Sequence, residues 1–189
     1  MPDYKGPQSA AHEGGDFCHL MDKVCTTLTA GSLIHERSAL CALEYGLRGF
    51  GRLHMHNAKE DFEAKLCLEK LLVDRLEHIP TLDIEAIGRA AGYSFEQAQF
   101  KASLQWYMAR EKEFIKLLNE AVKMAGDIDM AVYEKLVYIL SEVQEEAFRV
   151  KEIIKRLDAG GWAGHDLMHV SEAIHRHHEA HGNMDYSLS

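Results

Sequence analysis

The chain is short of proline. Its three prolines are Pro2, Pro7 and Pro80, and none occurs from Thr81 to Ser189. Proline breaks helix interiors, so this absence leaves room for long helices. Cysteine is sparse too: Cys18, Cys25, Cys41 and Cys67 form no Cys-x-x-Cys pair. That spacing excludes a zinc ribbon or a disulfide framework and reads as reduced thiols in a cytoplasmic protein. No apolar run reaches about 18 residues, the length a membrane span needs. Positive charge is in deficit, with 21 Lys+Arg against 30 Asp+Glu and a formal charge of −9. A chain so acidic lacks the basic face of a general nucleic-acid binder and repels anionic lipid. No segment alternates apolar and polar residues long enough to predict a strand.

What remains is helix. Residues 1–15 are polar and contain glycine, which predicts a disordered segment and not a signal sequence. Asp16 to Thr29 reads as a short lead-in helix ended by Gly31, with Ser32 as the N-cap of a first long helix reaching His54. A turn follows at His56-Asn57-Ala58. The second helix runs from Glu60 to His78 and stops before Pro80. The connection Pro80 to Ser94 holds a short helix, Ile84 to Ala91. The third long helix runs from Phe95 to Ala125, Gly126-Asp127 turns the chain, and the fourth runs from Met130 to Asp158. Gly160, Gly161 and Gly164 form a hinge before a last helix, Asp166 to His181. Two short turns flanking one long connection predict an all-α, ferritin-like four-helix bundle with a crossover and an extra C-terminal helix, and an ordinary up-down bundle is the alternative where the connection does not cross the bundle's length. The domain reading is therefore a disordered 1–15, a bundle over 16–158, and a hinge and His-rich tail over 159–189.

Apolar residues recur at helical spacing, and glutamate interrupts them. The stripe of the first helix is Leu33, Glu36, Leu40, Leu43, Leu47 and Phe50. That of the second is Phe62, Leu66, Glu69, Val73 and Leu76, and that of the third includes Leu104, Met108, Glu111, Ile115 and Leu118. The fourth helix has an acid-free stripe, with Glu145 on a flanking one. A carboxylate on an apolar seam loses hydration at a cost of several kcal/mol unless it is protonated, paired or bound to metal. Four converging carboxylates, Glu36, Glu69, Glu111 and Glu145, are balanced by two divalent cations. Carboxylate oxygen suits iron or manganese, and a dinuclear centre of either reduces O₂ or peroxide. Along the helix axes Glu111 and Glu145 are nearly level, while Glu36 and Glu69 are offset by about 12 Å.

The segment Glu111 to Leu157 resembles the third and fourth helices of the ferritin superfamily, bacterioferritin above all. It carries a Leu-x-Glu-Ala-Val block, a Gly-Asp turn and an Ile-Leu followed by Glu-Glu. Leu76 to Leu82 resembles the end of that family's second helix, and the 33 residues from Glu36 to Glu69 equal its ligand separation. The resemblance spans residues 33–158. It implies a dinuclear metal site, oxidation of iron by O₂ or peroxide, and storage where chains form a homo-oligomeric cage. The family pattern Glu-x-x-His is absent, because Leu72 follows Glu69 and Phe148 follows Glu145. Glu63 or Asp74 on the second helix, and Glu142 or Glu146 on the fourth, are alternatives for those roles. No haem is predicted. The missing histidines also support a second expectation, a bundle with a degenerate metal site acting as a binding or assembly protein.

Half of the 12 histidines fall between His165 and His181. The i,i+4 pairs His165/His169 and His177/His181 can each clamp Zn²⁺ or Ni²⁺ on one helix face. His54-Met55-His56 reads as a loop, and Gly46, Gly49 and Gly51 as small residues that let helices approach. Trp106 and Tyr107 read as packing side chains.

Overall fold

The structure, a computed structural model, describes residues 8–92 and 100–181, with side chains over 15–90, 92 and 100–177. Six helices follow in order: α1 (Gln8–Glu44), α2 (Arg48–Leu76), α3 (Ile84–Ala91), α4 (Phe100–Ala125), α5 (Met130–Gly160) and α6 (Gly164–His181). No strand occurs among the described residues.

The first hairpin departs from the sequence reading. α1 is one helix that runs through Gly31, and it is helical from Gln8, within the segment read as disordered. The reason is its buried stripe. Phe17, Met21, Val24, Leu28, His35, Ala39 and Ala42 recur at helical spacing on both sides of Gly31, so the register never breaks. The chain turns instead at Tyr45–Leu47. Gly46 takes φ +74°, the left-handed conformation that suits glycine after a helix. Leu47 N–H then bonds the Ala42 carbonyl at 2.8 Å. His54-Met55-His56 consequently lies inside α2.

Two apolar clusters fill the bundle. One joins Phe17, Met21 and Leu28 of α1 to Leu68 and Leu72 of α2, to Phe114, Leu118 and Ala125 of α4, and to Val132 and Leu136 of α5. The other joins Ala42, Phe50 and Leu53 to Phe100 and Leu104 and to Val150, Ile153 and Leu157. The start of α1 thus meets the end of α4, and the end of α2 meets the start of α5, so neighbouring helices are antiparallel. Leu72 is in the first cluster and Phe100 in the second, so the connection between α2 and α4 crosses the length of the bundle. Its path is strapped to α1. Thr81 N–H and the His78 ring both reach Asp22 Oδ1 at 2.9 Å, and Asp83 N–H reaches Thr26 Oγ1 at 3.1 Å.

α6 lies across the start of α2 and the end of α5. Leu167 enters the second cluster, and Ser171 Oγ accepts from Gly49 N–H at 2.9 Å. The approach is close: a Cβ on Gly49 would stand 1.8 Å from the Ser171 carbonyl oxygen. Only glycine leaves space for the α6 backbone there.

Candidate functional site

Between the two apolar clusters lies a polar layer to which all four long helices contribute. α1 supplies His35 and Ser38, α2 His54, Asn57 and Asp61, α4 Ser103, Tyr107 and Glu111, and α5 Glu146, all buried. Position in sequence explains the convergence. His35 is 11 residues before Gly46 and Asn57 is 11 after it, so the two stand level across the hairpin. His54, Asn57 and Asp61 at i, i+3 and i+7 share one face of α2.

The layer is hydrogen-bonded. His35 Nδ1 lies 3.0 Å from His54 Nδ1, and His35 Nε2 lies 2.8 Å from the Tyr107 hydroxyl. Tyr107 O–H donates to Glu146, and Asn57 Nδ2 donates to the same oxygen. Because the Tyr107 proton is given to Glu146, its oxygen accepts from His35 Nε2–H. His35 Nδ1 then accepts from His54 Nδ1–H, a tautomer assignment that follows from the bonding. Asn57 Oδ1 is buried with no hydrogen-bond partner. Arg110, reaching in from α4, pairs with Glu111 Oε1 at 2.6 Å.

Burial governs the charges. It pushes the carboxyls of Asp61 and Glu146 well above the ordinary range, with Arg110 opposing the shift and neighbouring carboxylates adding to it. Burial raises Glu111 as well, against the pull of Arg110. His35 is held well below its usual value by burial, then by His54 and Arg110, and burial takes His54 to about 4. Both rings are therefore neutral near pH 7. Stability follows these shifts with opposite signs. The depressed histidines contribute stability that is complete above about pH 6.5 and is lost as pH falls through their folded values. The raised carboxyls contribute stability that is complete below about pH 4 and is lost as pH rises through their folded values. Above pH 6.5 only the second effect acts. Above about pH 6.5 the urea midpoint of chelator-treated protein is expected to fall as pH rises through the carboxyls' folded values, and Glu146→Gln is expected to make that fall smaller. A midpoint rising over this interval would contradict the assignment.

A cleft of about 210 Å³ between α2 and α5 leads to the layer. Glu60, Glu63 and Glu142 line its sides with Tyr138 and Lys135, and Asp61 and Glu146 are at its inner end. Such a grouping of carboxylates attracts cations.

Of the four glutamates read from the seams, Glu111 lies in the layer and the other three do not. Glu36 is exposed next to His35. Glu69 pairs with Lys65 at 3.1 Å, and exposed Glu145 pairs with Arg149 at 2.9 Å. Glu36 is 10 residues before Gly46 and Glu69 is 23 after it, which sets them about 20 Å apart along the hairpin. The cause is a second apolar stripe on each of α1 and α2. Leu33 and Leu40, and Phe62, Leu66 and Val73, are between 37% and 58% exposed. The true core stripe is interrupted by His35, His54, Asn57 and Asp61, so it looks less apolar than the outward one. Its legible trace is the unbroken spacing through Gly31. Glu146, one of the two alternatives on the fourth helix, points inward.

On α6, His165, His169 and His177 are exposed. His181 closes the helix, and its side chain lies outside the described residues. Among the described residues no group of three or more His, Cys, Asp or Glu is arranged to hold a metal ion as it stands.

No protein-family model matches the chain, and no curated protein matches it. Solved structures do. The open-pore ferritin of the hyperthermophilic archaeon Archaeoglobus fulgidus superposes with a TM-score of 0.70 at 17% identity, over 84% of this chain and 95% of that one. A form of the same ferritin engineered to be closed gives 0.68 at 17% identity, over 84% and 94%. A likeness at this identity establishes architecture, and the chain has the fold of the ferritins.

Proposed function

We propose that the protein handles iron, or manganese, through the mid-bundle layer. One observation carries the reading: three carboxylates, Asp61, Glu111 and Glu146, are buried in one layer, and Arg110 is paired with Glu111 alone among them. Ionised, they leave the layer two negative charges in excess, and a buried excess of that size is held either by protons or by a cation. The donors suit a cation that takes oxygen ligands. Carboxylate oxygen comes from Asp61, Glu111 and Glu146, and amide oxygen from the orphaned Asn57 Oδ1. When bound, such an ion supplies electron transfer to O₂ or peroxide. The chain's own residues do the rest. Glu60, Glu63 and Glu142 draw cations toward the layer, the apolar clusters keep water from either end, and the His54–His35–Tyr107–Glu146 chain holds a proton next to the carboxylates.

The ferritin neighbours support iron as the metal, and the bacterioferritin-like sequence of α4 and α5 agrees with them. The centre proposed here moves from Glu36, Glu69 and Glu145 to the inward-facing Asp61 and Glu146, with Glu111 kept. The outward stripe of α1 and α2 would be covered by self-association, and storage would follow where a cage forms. Four free thiols suit a reducing cytoplasm. No helix among the described residues is long and apolar enough to cross a membrane.

The Arg110–Glu111 pair also favours a second reading, a layer neutralised by protons in a scaffold protein that holds no metal. A third reading is capture of Zn²⁺ or Ni²⁺ by His165/His169 and His177/His181 alone. Anaerobic titration with Fe²⁺ or Mn²⁺, followed by gel filtration and elemental analysis, separates them. The mid-bundle reading expects metal retained by the wild type and lost in Asp61→Asn and Glu146→Gln, binding that tightens as pH rises, and protons released. It expects His165→Ala/His169→Ala to leave that metal in place. Wild type without metal supports the scaffold. Sedimentation of the same sample reads the assembly.

A further inference from the structure

Arg110 occupies a place built for it. From α4 its side chain reaches α1, where Nη2 donates to the Thr27 carbonyl at 3.0 Å while Nη1 pairs with Glu111 at 2.6 Å. Only 14% of the side chain is exposed. Room for the guanidinium comes from Gly31. A Cβ at that position would stand 2.5 Å from Arg110 Nη2 and 2.1 Å from Asp61 Oδ2, so both groups lie against the bare backbone of α1. The guanidinium therefore sits beside Glu111 and Asp61, whereas Glu146 faces His35, Tyr107 and Asn57 on its own side of the layer.

We propose that Arg110 is a resident cation that stands in for one of two metal ions and limits the layer to a single divalent ion per chain. A guanidinium stays protonated under all working conditions and pairs with carboxylates through a fixed fork. With three carboxylates it leaves a charge of −2, which one divalent ion cancels. Without it the layer carries −3, and one divalent ion leaves −1, an excess that draws a second cation to the vacated guanidinium position beside Asp61 and Glu111. The residue therefore acts through Glu111 and Asp61 as a positioning and stoichiometry-setting group. The inference rests on the metal-binding reading above.

The test counts ions. Manganese-loaded protein is freed of excess metal, and Mn²⁺ per chain is measured by elemental analysis and by electron paramagnetic resonance. Wild type is expected to hold one ion. Arg110→Gln is expected to hold two, and Arg110→Lys, which keeps the charge, one. Arg110→Gln/Glu111→Gln removes the pair together and is expected to return to one. Two ions in the wild type, or the same count in Arg110→Gln as in the wild type, would overturn the proposal. If the wild type holds none and Arg110→Gln gains an ion, metal handling by the native chain fails while the role of Arg110 stands. If neither holds any, both fail. Should Arg110→Gln unfold in chelator, refolding by Mn²⁺ with two ions bound supports the proposal, and no refolding overturns it.

Discussion

Glu111→Ala is expected to lower stability by about 3 kcal/mol, the usual cost of removing one partner of a buried ion pair. Arg110 keeps its bond to the Thr27 carbonyl but loses the carboxylate at 2.6 Å. The guanidinium cannot shed its charge, so the loss is not absorbed by a proton. Asp61, next to it over Gly31, is the carboxyl that can ionise in compensation, and its titration should move downward in the variant. Glu146→Gln is the contrast. Glutamine still accepts from Tyr107 and removes an acid whose ionisation burial opposes, so the change should stay within about 1 kcal/mol at neutral pH. Urea unfolding of chelator-treated protein checks both. A larger loss in Glu146→Gln than in Glu111→Ala would mean that Glu146 is the ionised partner of the layer.

Gly49→Ala is expected to undock α6. The added methyl would meet the Ser171 carbonyl oxygen at 1.8 Å, its carbon at 2.7 Å and His175 N at 3.0 Å, all of them backbone. No rotamer change relieves such contacts, so α6 must move away and the bond from Gly49 N–H to Ser171 Oγ is lost. The cost is about 3 kcal/mol, the upper end of ordinary overpacking. Hydrogen exchange resolves where it falls. Amides of α6 should lose protection while those of α4 and α5 in the first apolar cluster keep theirs. Protease cleavage after the Gly160-Gly161 hinge should accelerate. Gly46→Ala tests a different constraint, the left-handed turn at φ +74° with open space around it, and should leave α6 in place.

The second half of the chain was legible because each of its signals is local. Gly126-Asp127 lies between α4 and α5, Ile84–Ala91 is the short crossover helix, and the buried stripes of α4 and α5 are mostly apolar. The first hairpin was less legible. Gly31 has the composition of a helix stop, yet it serves as the seat of Arg110 and Asp61. His56-Asn57 has the composition of a turn, yet Asn57 lies 2% exposed in the middle of α2. In both places tertiary contacts outweigh the local preference of the residue.

By itself the sequence determined the fold class, the crossover, the second hairpin and one member of the polar layer, Glu111. These depend on periodicity, which each helix carries on its own. Only the tertiary structure decided which of two stripes on α1 and α2 faces inward. A helix turns about 100° per residue, so an error of one position exchanges Glu36 for His35 and Glu145 for Glu146. The choice is made by the partner helices. Burying the stripe with His35, Asn57 and Asp61 joins those groups to Tyr107, Glu146 and Arg110, and no single helix can provide that compensation.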